Sequence, residues 1–132
     1  MKNTFQNGDQ KEYSIVVSPN DIAKFESGVV HNVYSTFALC RDAEWSGRLF
    51  VLEMKEDSEE GIGTSISIEH KSPAFVGETV VFIARFEEIN GNGEIVNSFE
   101  ARVGDRLIAI GKQGQRILPK SKIDSLFKKI KT

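Results

Sequence analysis

Three residues have the types and spacing for acid–base or nucleophilic chemistry: Thr36, Glu44 and His70. His70 closes an alternating run, Ile62, Thr64, Ile66, Ile68, His70, and so falls on the apolar parity of a strand just ahead of Ser72 and Pro73. An imidazole there must find a partner or stay neutral at a cost, and a satisfied core histidine is its plainer reading. Glu44 lies four residues after Cys40 and three before Gly47, on the small-residue face of a helical stretch, which predicts a carboxylate aimed at the sheet. Buried carboxylates are rarely unpaired, so Glu44 opposite His70 is the simplest mutual solution, as a structural ion pair, as a carboxylate orienting the imidazole, or as the base for a water made more acidic by His70. Thr36 sits near the expected start of that helix, where unpaired N–H groups and the positive dipole end favour developing negative charge. It competes there with Ser35 for the cap. Eight residues of helix rise about 12 Å, so Thr36 and Glu44 act on different ends of a reacting group unless the chain folds back.

Other patterns carry less. His31 falls in an expected loop, and Cys40, among small residues in mid-helix, reads as core packing. Gly61-Ile62-Gly63-Thr64 lacks the lysine and the strand-loop-helix setting of a phosphate loop. There is no Gly-x-Ser-x-Gly elbow, and one cysteine with two histidines predicts no metal site.

The elements that must position these residues follow from periodicity. Glu12 to Ser18 reads as a strand ended by Pro19, and Asp21 to Ser27 as one or two helical turns closed by Gly28. Val33, Phe37, Cys40, Ala43, Gly47, Phe50 and Val51 recur at steps of three or four, giving a long helix over Ser35 to Met54. The period then drops to two, with strands from Ile62 to His70, Thr79 to Ile89, Glu94 to Val103 and Arg106 to Leu118, joined at Asn90-Gly91-Asn92-Gly93 and Gly104-Asp105. Past Pro119, Ile123, Leu126, Phe127 and Ile130 mark a short amphipathic helix. The expected class is α+β, one helix on a four-strand meander, and one helix covering one sheet predicts a sheet that continues across a dimer.

The chain has 132 residues, 39% hydrophobic and 27% charged, which predicts one globular domain over 1–132. A net charge of −2 argues against nucleic acid as the main partner. That small number hides an asymmetry: seven Lys or Arg and one Asp follow Gly111, while residues 1–111 hold ten basic and eighteen acidic side chains. A single cysteine, no apolar leader and no apolar run of membrane-spanning length predict a soluble, cytoplasmic protein with no membrane partner.

Val33-Tyr34-Ser35-Thr36, Glu44-Trp45 and Gly61-Ile62-Gly63-Thr64-Ser65-Ile66-Ser67-Ile68-Glu69-His70, with Pro73 and Gly77 behind, resemble the fluoroacetyl-CoA thioesterase-like branch of the hot-dog thioesterases. The likeness runs without gaps from about Val33 to Val81 and more loosely from Gly8 to Leu118. It implies a hot-dog fold: a long central helix wrapped by a mainly antiparallel sheet of about five strands, with a short C-terminal helix. It also implies homodimers, or dimers of dimers, that bind an acyl-CoA thioester between subunits, with coenzyme A as part of the substrate and no other cofactor. Thr36, Glu44 and His70 fall at that family's catalytic Thr, Glu and His, and Gly63 at the glycine whose N–H meets the thioester carbonyl. Arg116, or without a gap Gln115, falls at a substrate-binding arginine on the last strand. The expected activity is thioester hydrolysis; the alternatives are a non-catalytic acyl-CoA or lipid-binding module and a hydratase on the same fold.

Overall fold

The computed structural model describes residues 1–131. In chain order the elements are β1 (Gln10–Val16), a 3-10 turn (Pro19–Asp21), β2 (Ile22–Phe25), β3 (Gly28–Tyr34), α1 (Thr36–Met54), β4 (Glu59–His70), β5 (Thr79–Ile89), β6 (Ile95–Val103), β7 (Arg106–Pro119) and α2 (Lys120–Lys131). A five-stranded antiparallel sheet in the order β1-β5-β6-β7-β4 carries α1 on one face, which is the hot-dog arrangement.

Helix α1 packs through Ala38, Leu39, Ala43, Gly47, Phe50, Val51 and Met54, spaced to make one stripe. Phe37, expected on that stripe, is exposed, because the helix starts at Thr36 and turns residue 37 away from the sheet. Against this stripe lie alternate residues of the strands: Val80, Phe82 and Ala84 of β5, then Ile95, Phe99 and Ala101 of β6.

Three local features differ from expectation. Residues 21–27 form no α-helix: Asp21 ends a 3-10 turn and β2 begins at Ile22. Ser18 caps the short 3-10 turn, and β2 and β3 form a separate two-stranded hairpin, with Gly28 at φ +110° beside the turn. The six residues between Asp21 and Gly28 cannot repay helix nucleation, whereas Val29-Val30 suits an extended chain. The His31 position therefore falls on β3, and it is exposed there.

Strand β4 does not open a meander into β5. It pairs with β7 instead, leaving β5-β6-β7 as the meander. The connection 71–78 holds Pro73 and no two-residue turn, and it crosses beneath the β2-β3 hairpin, where Phe75 bridges Val33. Strand β4 is thus an edge, with one side of its 12 residues unpaired among the described residues.

Strand β4 is also bulged. Gly63 pairs with Gln115 and Ser65 with Gly114, so Thr64 is an extra residue and the parity of the strand flips there. Gly61 and Gly63 face α1, and beyond the bulge Ile66, Ile68 and His70 do so, while Ile62 faces away. The single alternating run from Ile62 to His70 is therefore two half-runs in different phase. At the far end α2 follows β7 directly, and only Ile123 of its apolar stripe is buried; exposure climbs through Leu126 and Phe127 to Ile130 at 79%. Among the described residues no helix is long and apolar enough to cross a membrane.

Candidate active site

The first turn of α1 meets the end of β4. Ser35 is the N-cap, its hydroxyl accepting from the Ala38 N–H at 3.1 Å, which leaves the Thr36 hydroxyl free for another partner. That partner is His70, with Thr36 Oγ1 3.0 Å from His70 Nδ1. Burial pushes the His70 imidazole below its ordinary pKa, opposed only in part by the backbone of Ser72. The other ring nitrogen, Nε2, is buried and has no hydrogen-bond partner among the described residues. A neutral imidazole beside a hydroxyl is the pairing of a general base with a nucleophile or with the group that orients it.

Glu44 stands two turns further along α1 and does not pair with His70. Its carboxylate crosses to strand β4 at Gly63, as expected, yet it stays exposed and makes no hydrogen bond or ion pair among the described residues. A Cβ on residue 63 would stand 2.6 Å from Glu44 Oε1, so only glycine admits this contact. Arg41, Trp45, Arg48, Gly61 and Gln115 line the same depression. Arg48 is paired with Glu60 at 2.9 Å.

The two places lie far apart within one chain. Gly63 and His70 are seven residues apart on one strand, roughly 20 Å. The expected pairing of Glu44 with His70 therefore fails inside the protomer: Thr36, at the start of α1, meets the end of β4 at His70, while Glu44, two turns on in mid-helix, meets the strand at Gly63.

On the last strand, Gln115 faces α1 and lines the Glu44 depression. Arg116 alternates to the other face and lines a separate depression with Thr64, Asn92 and Glu94. The ungapped reading, Gln115, is thus the one that the fold places beside Glu44. Cys40 is half-buried, and burial and the nearby Glu44 charge push its thiol up, which suits an inert packing residue.

Residue-type reasoning missed a buried carboxylate. Asp42 accepts from the Tyr34 hydroxyl at 2.5 Å and from Arg41 Nε and Nη2, each at 3.1 Å; Arg41 also reaches Asp21 at 3.1 Å. Burial and Asp42 drive the Tyr34 hydroxyl far above its ordinary pKa, so it stays a donor. The cluster ties β3 and the 3-10 turn to the first turns of α1. Its only sequence signal was the Arg41-Asp42 pair, which reads as surface charge. Among the described residues no group of three His, Cys, Asp or Glu could hold a metal ion.

A family model, the fluoroacetyl-CoA-specific thioesterase FlK, matches residues 17–121. The chain belongs to this thioesterase family. A thioesterase superfamily member from Thermus thermophilus is 35% identical, covering 96% of this chain and 93% of its own, with a TM-score of 0.90. A variant of FlK, crystallised with fluoroacetate and CoA, is 20% identical over 90% of this chain and 99% of its own, with a TM-score of 0.82. A hot-dog-like protein from Thermanaerovibrio acidaminovorans is 17% identical over 95% and 92%, with a TM-score of 0.85. These last two likenesses bear on the fold. No curated protein sequence matches the chain.

Proposed function

We propose that this thioesterase-family protein hydrolyses an acyl-CoA thioester at a site shared between two copies of the chain. The observation that carries the reading is the Thr36 hydroxyl held 3.0 Å from a half-buried, neutral-leaning His70 at the start of α1. A relative crystallised with fluoroacetate and CoA supports coenzyme A as part of the substrate.

The unpaired edge of β4 supplies the reason for two copies. A long exposed edge invites pairing with another strand. Antiparallel pairing of two β4 edges about Ser67, with Thr64 left out as the extra residue of the bulge, would set Gly63 of one copy opposite the partner's His70 on the same face of the sheet. Glu44 and Gly63 would then complete the site begun by Thr36 and His70 of the other copy, and the intramolecular separation would cease to matter. The homodimer also fits a 132-residue chain that is one domain in this reading.

In such a site the Gly63 N–H would polarise the thioester carbonyl. His70 would take a proton from water or from Thr36 as that oxygen attacks the carbonyl carbon, the C–S bond would break, and the CoA thiolate would leave with the proton returned by the imidazolium; where Thr36 attacks, water activated by His70 would then cleave the acyl ester and free Thr36. Glu44, exposed and charged across the interface, would face the imidazolium that forms. The substrate-binding role expected of Arg116 passes to Gln115 in this reading, since Gln115 lines the depression.

The test is thiol release across acyl-CoAs of increasing chain length, with wild type and His70→Ala compared. Turnover by wild type that His70→Ala loses supports the reading; equal rates in both proteins overturn it. Tight acyl-CoA binding with no turnover would identify a binding module, and loss of enoyl absorbance without thiol release a hydratase. Mass spectrometry of wild type quenched during turnover separates an acyl-Thr36 intermediate from direct attack by water.

A further inference from the structure

The core beneath α1 is not continuous. One apolar cluster, with Tyr34, Leu39, Phe82 and Ile108, lies under its first turns, and a second, with Phe50, Met54, Phe86 and Ile95, under its last. Between them runs a buried polar seam: Ser46 and Gly47 on α1, Asn97 on β6, and Gln113 and Gln115 on β7, all less than 4% exposed where a side chain is present. Amides buried at the middle of a core are costly unless bonded, and an apolar replacement of similar size would serve packing as well.

The bonds that the seam makes converge on one place. Gln113 Nε2 donates to the carbonyl of Ala43 at 2.8 Å and to that of Glu44 at 3.4 Å, and Gln113 Oε1 accepts from Gln115 Nε2 at 2.9 Å. The Ala43 carbonyl also accepts from Ser46 Oγ at 2.6 Å. A mid-helix carbonyl is already satisfied by its own helix, so these added donors are not needed to form α1. Gly47 makes the approach possible, since a Cβ there would stand 2.1 Å from Gln113 Nε2. Gln115, the other member of the pair, is the register partner of Gly63. One pair of glutamines thus holds both sides of the Glu44–Gly63 contact, the helix turn from below and the strand from beside.

We infer that Gln113, braced by Gln115, is a positioning residue that sets the Glu44 carboxylate over Gly63 for reaction. The inference rests on the reading that Glu44 takes part in thioester cleavage. A misplacement of about 1 Å can cost roughly 100-fold in rate, so the sub-ångström freedom gained on losing this brace should show in turnover.

The experiment is a double-mutant cycle read on thiol release from an acyl-CoA that wild type hydrolyses. Gln113→Leu should lower kcat roughly tenfold or more with KM within about threefold, because Glu44 is still present but misplaced. In a Glu44→Gln background the same substitution should change kcat less than about twofold. A role in packing alone would lower both backgrounds by the same factor, and that result, or an unchanged kcat in the Glu44 background, overturns the inference while leaving the proposed function standing. Should Gln113→Leu fail to fold, Gly47→Ala displaces the same amide from the helix side while improving helix propensity, and the same cycle applies. Wild type inactive on every thioester would instead overturn the proposed function and the inference with it.

Discussion

The two stations along α1 hold their chemistry in opposite ways. At Thr36 the base is half-buried, kept neutral by desolvation and tied to a hydroxyl. At Glu44 the acid is exposed and rests against bare backbone, with its position set from beneath by amides in the core. Leaving water penalises an imidazolium more than a neutral imidazole, so burial favours the base form of His70, and the exposed Glu44 side chain is spared a desolvation cost. On the proposed reading neither station is a site alone, and because strand β4 carries a residue of each, a single edge pairing would unite them.

The largest expected effect breaks the comparison at the level of the dimer. His70→Ala and Glu44→Gln should each lower turnover roughly 10²- to 10⁴-fold. If the stations belong to different protomers, refolding the two inactive variants together restores about a quarter of wild-type activity, since half of the dimers are mixed and each has one intact site. Activity that stays at the level of the separate variants would place both stations in one chain.

Next in size is Gly63→Ala. The added methyl would stand 2.6 Å from Glu44 Oε1, so the carboxylate must move while Thr36 and His70 keep their bond. Turnover should fall roughly 10- to 100-fold, and, because the displaced carboxylate faces the partner's His70 in the proposed dimer, the His70 NMR resonance should shift as well. An unshifted His70 resonance would mean that the two stations do not meet.

How far the sequence reveals these stations depends on the kind of signal. Helix α1 was legible because its apolar and small residues repeat at 3 and 4, and the hairpins at Asn90–Gly93 and Gly104-Asp105 because Gly93 and Gly104 take positive φ. Thr36 and His70 were legible from residue type and position, Gly63 only from the resemblance, and the structure brings Thr36 to His70 and Gly63 to Glu44. The bulge at Thr64 was not legible, since the strand alternates on both sides of it and only the register against β7 reveals the slip. Asp42 was hidden for a similar reason: its donor, Tyr34, comes from the strand before α1, and adjacency in space is not written as spacing. The polar seam was hidden because Gln113 and Gln115 on a strand read as its solvent face until the direction of that face is known.

A smaller effect tests what supports the Thr36 station. Tyr34→Phe would leave Asp42 buried with only Arg41 as donor. Loss of a hydrogen bond to a buried carboxylate should cost about 1 to 3 kcal/mol in urea unfolding. No change in the unfolding midpoint would show that Arg41 alone satisfies Asp42.

The smallest effect is a slope in the pH dependence of stability, and its sign follows from His70. Burial holds the folded-state pKa of His70 below its ordinary 6.5. Between those two values the unfolded chain binds the proton and the folded chain does not, so unfolding takes up protons and stability rises with pH. The contribution is complete above about pH 6.5 and is lost as pH falls through that window. Carboxylates such as Asp21 and Glu60, whose pKa values are lowered by their hydrogen bonds and ion pairs, also lose stability in acid, but at lower pH. The difference between wild type and His70→Gln cancels the carboxylates. Plotted against pH, wild-type stability minus that of the variant should climb up to about 6.5 and then level off. The opposite slope would mean that an anion near the ring outweighs its desolvation, and the nearest candidate in a dimer is the partner's Glu44. Repeating the measurement in the Glu44→Gln background then shows whether that charge is felt at the imidazole, and so whether the two stations meet.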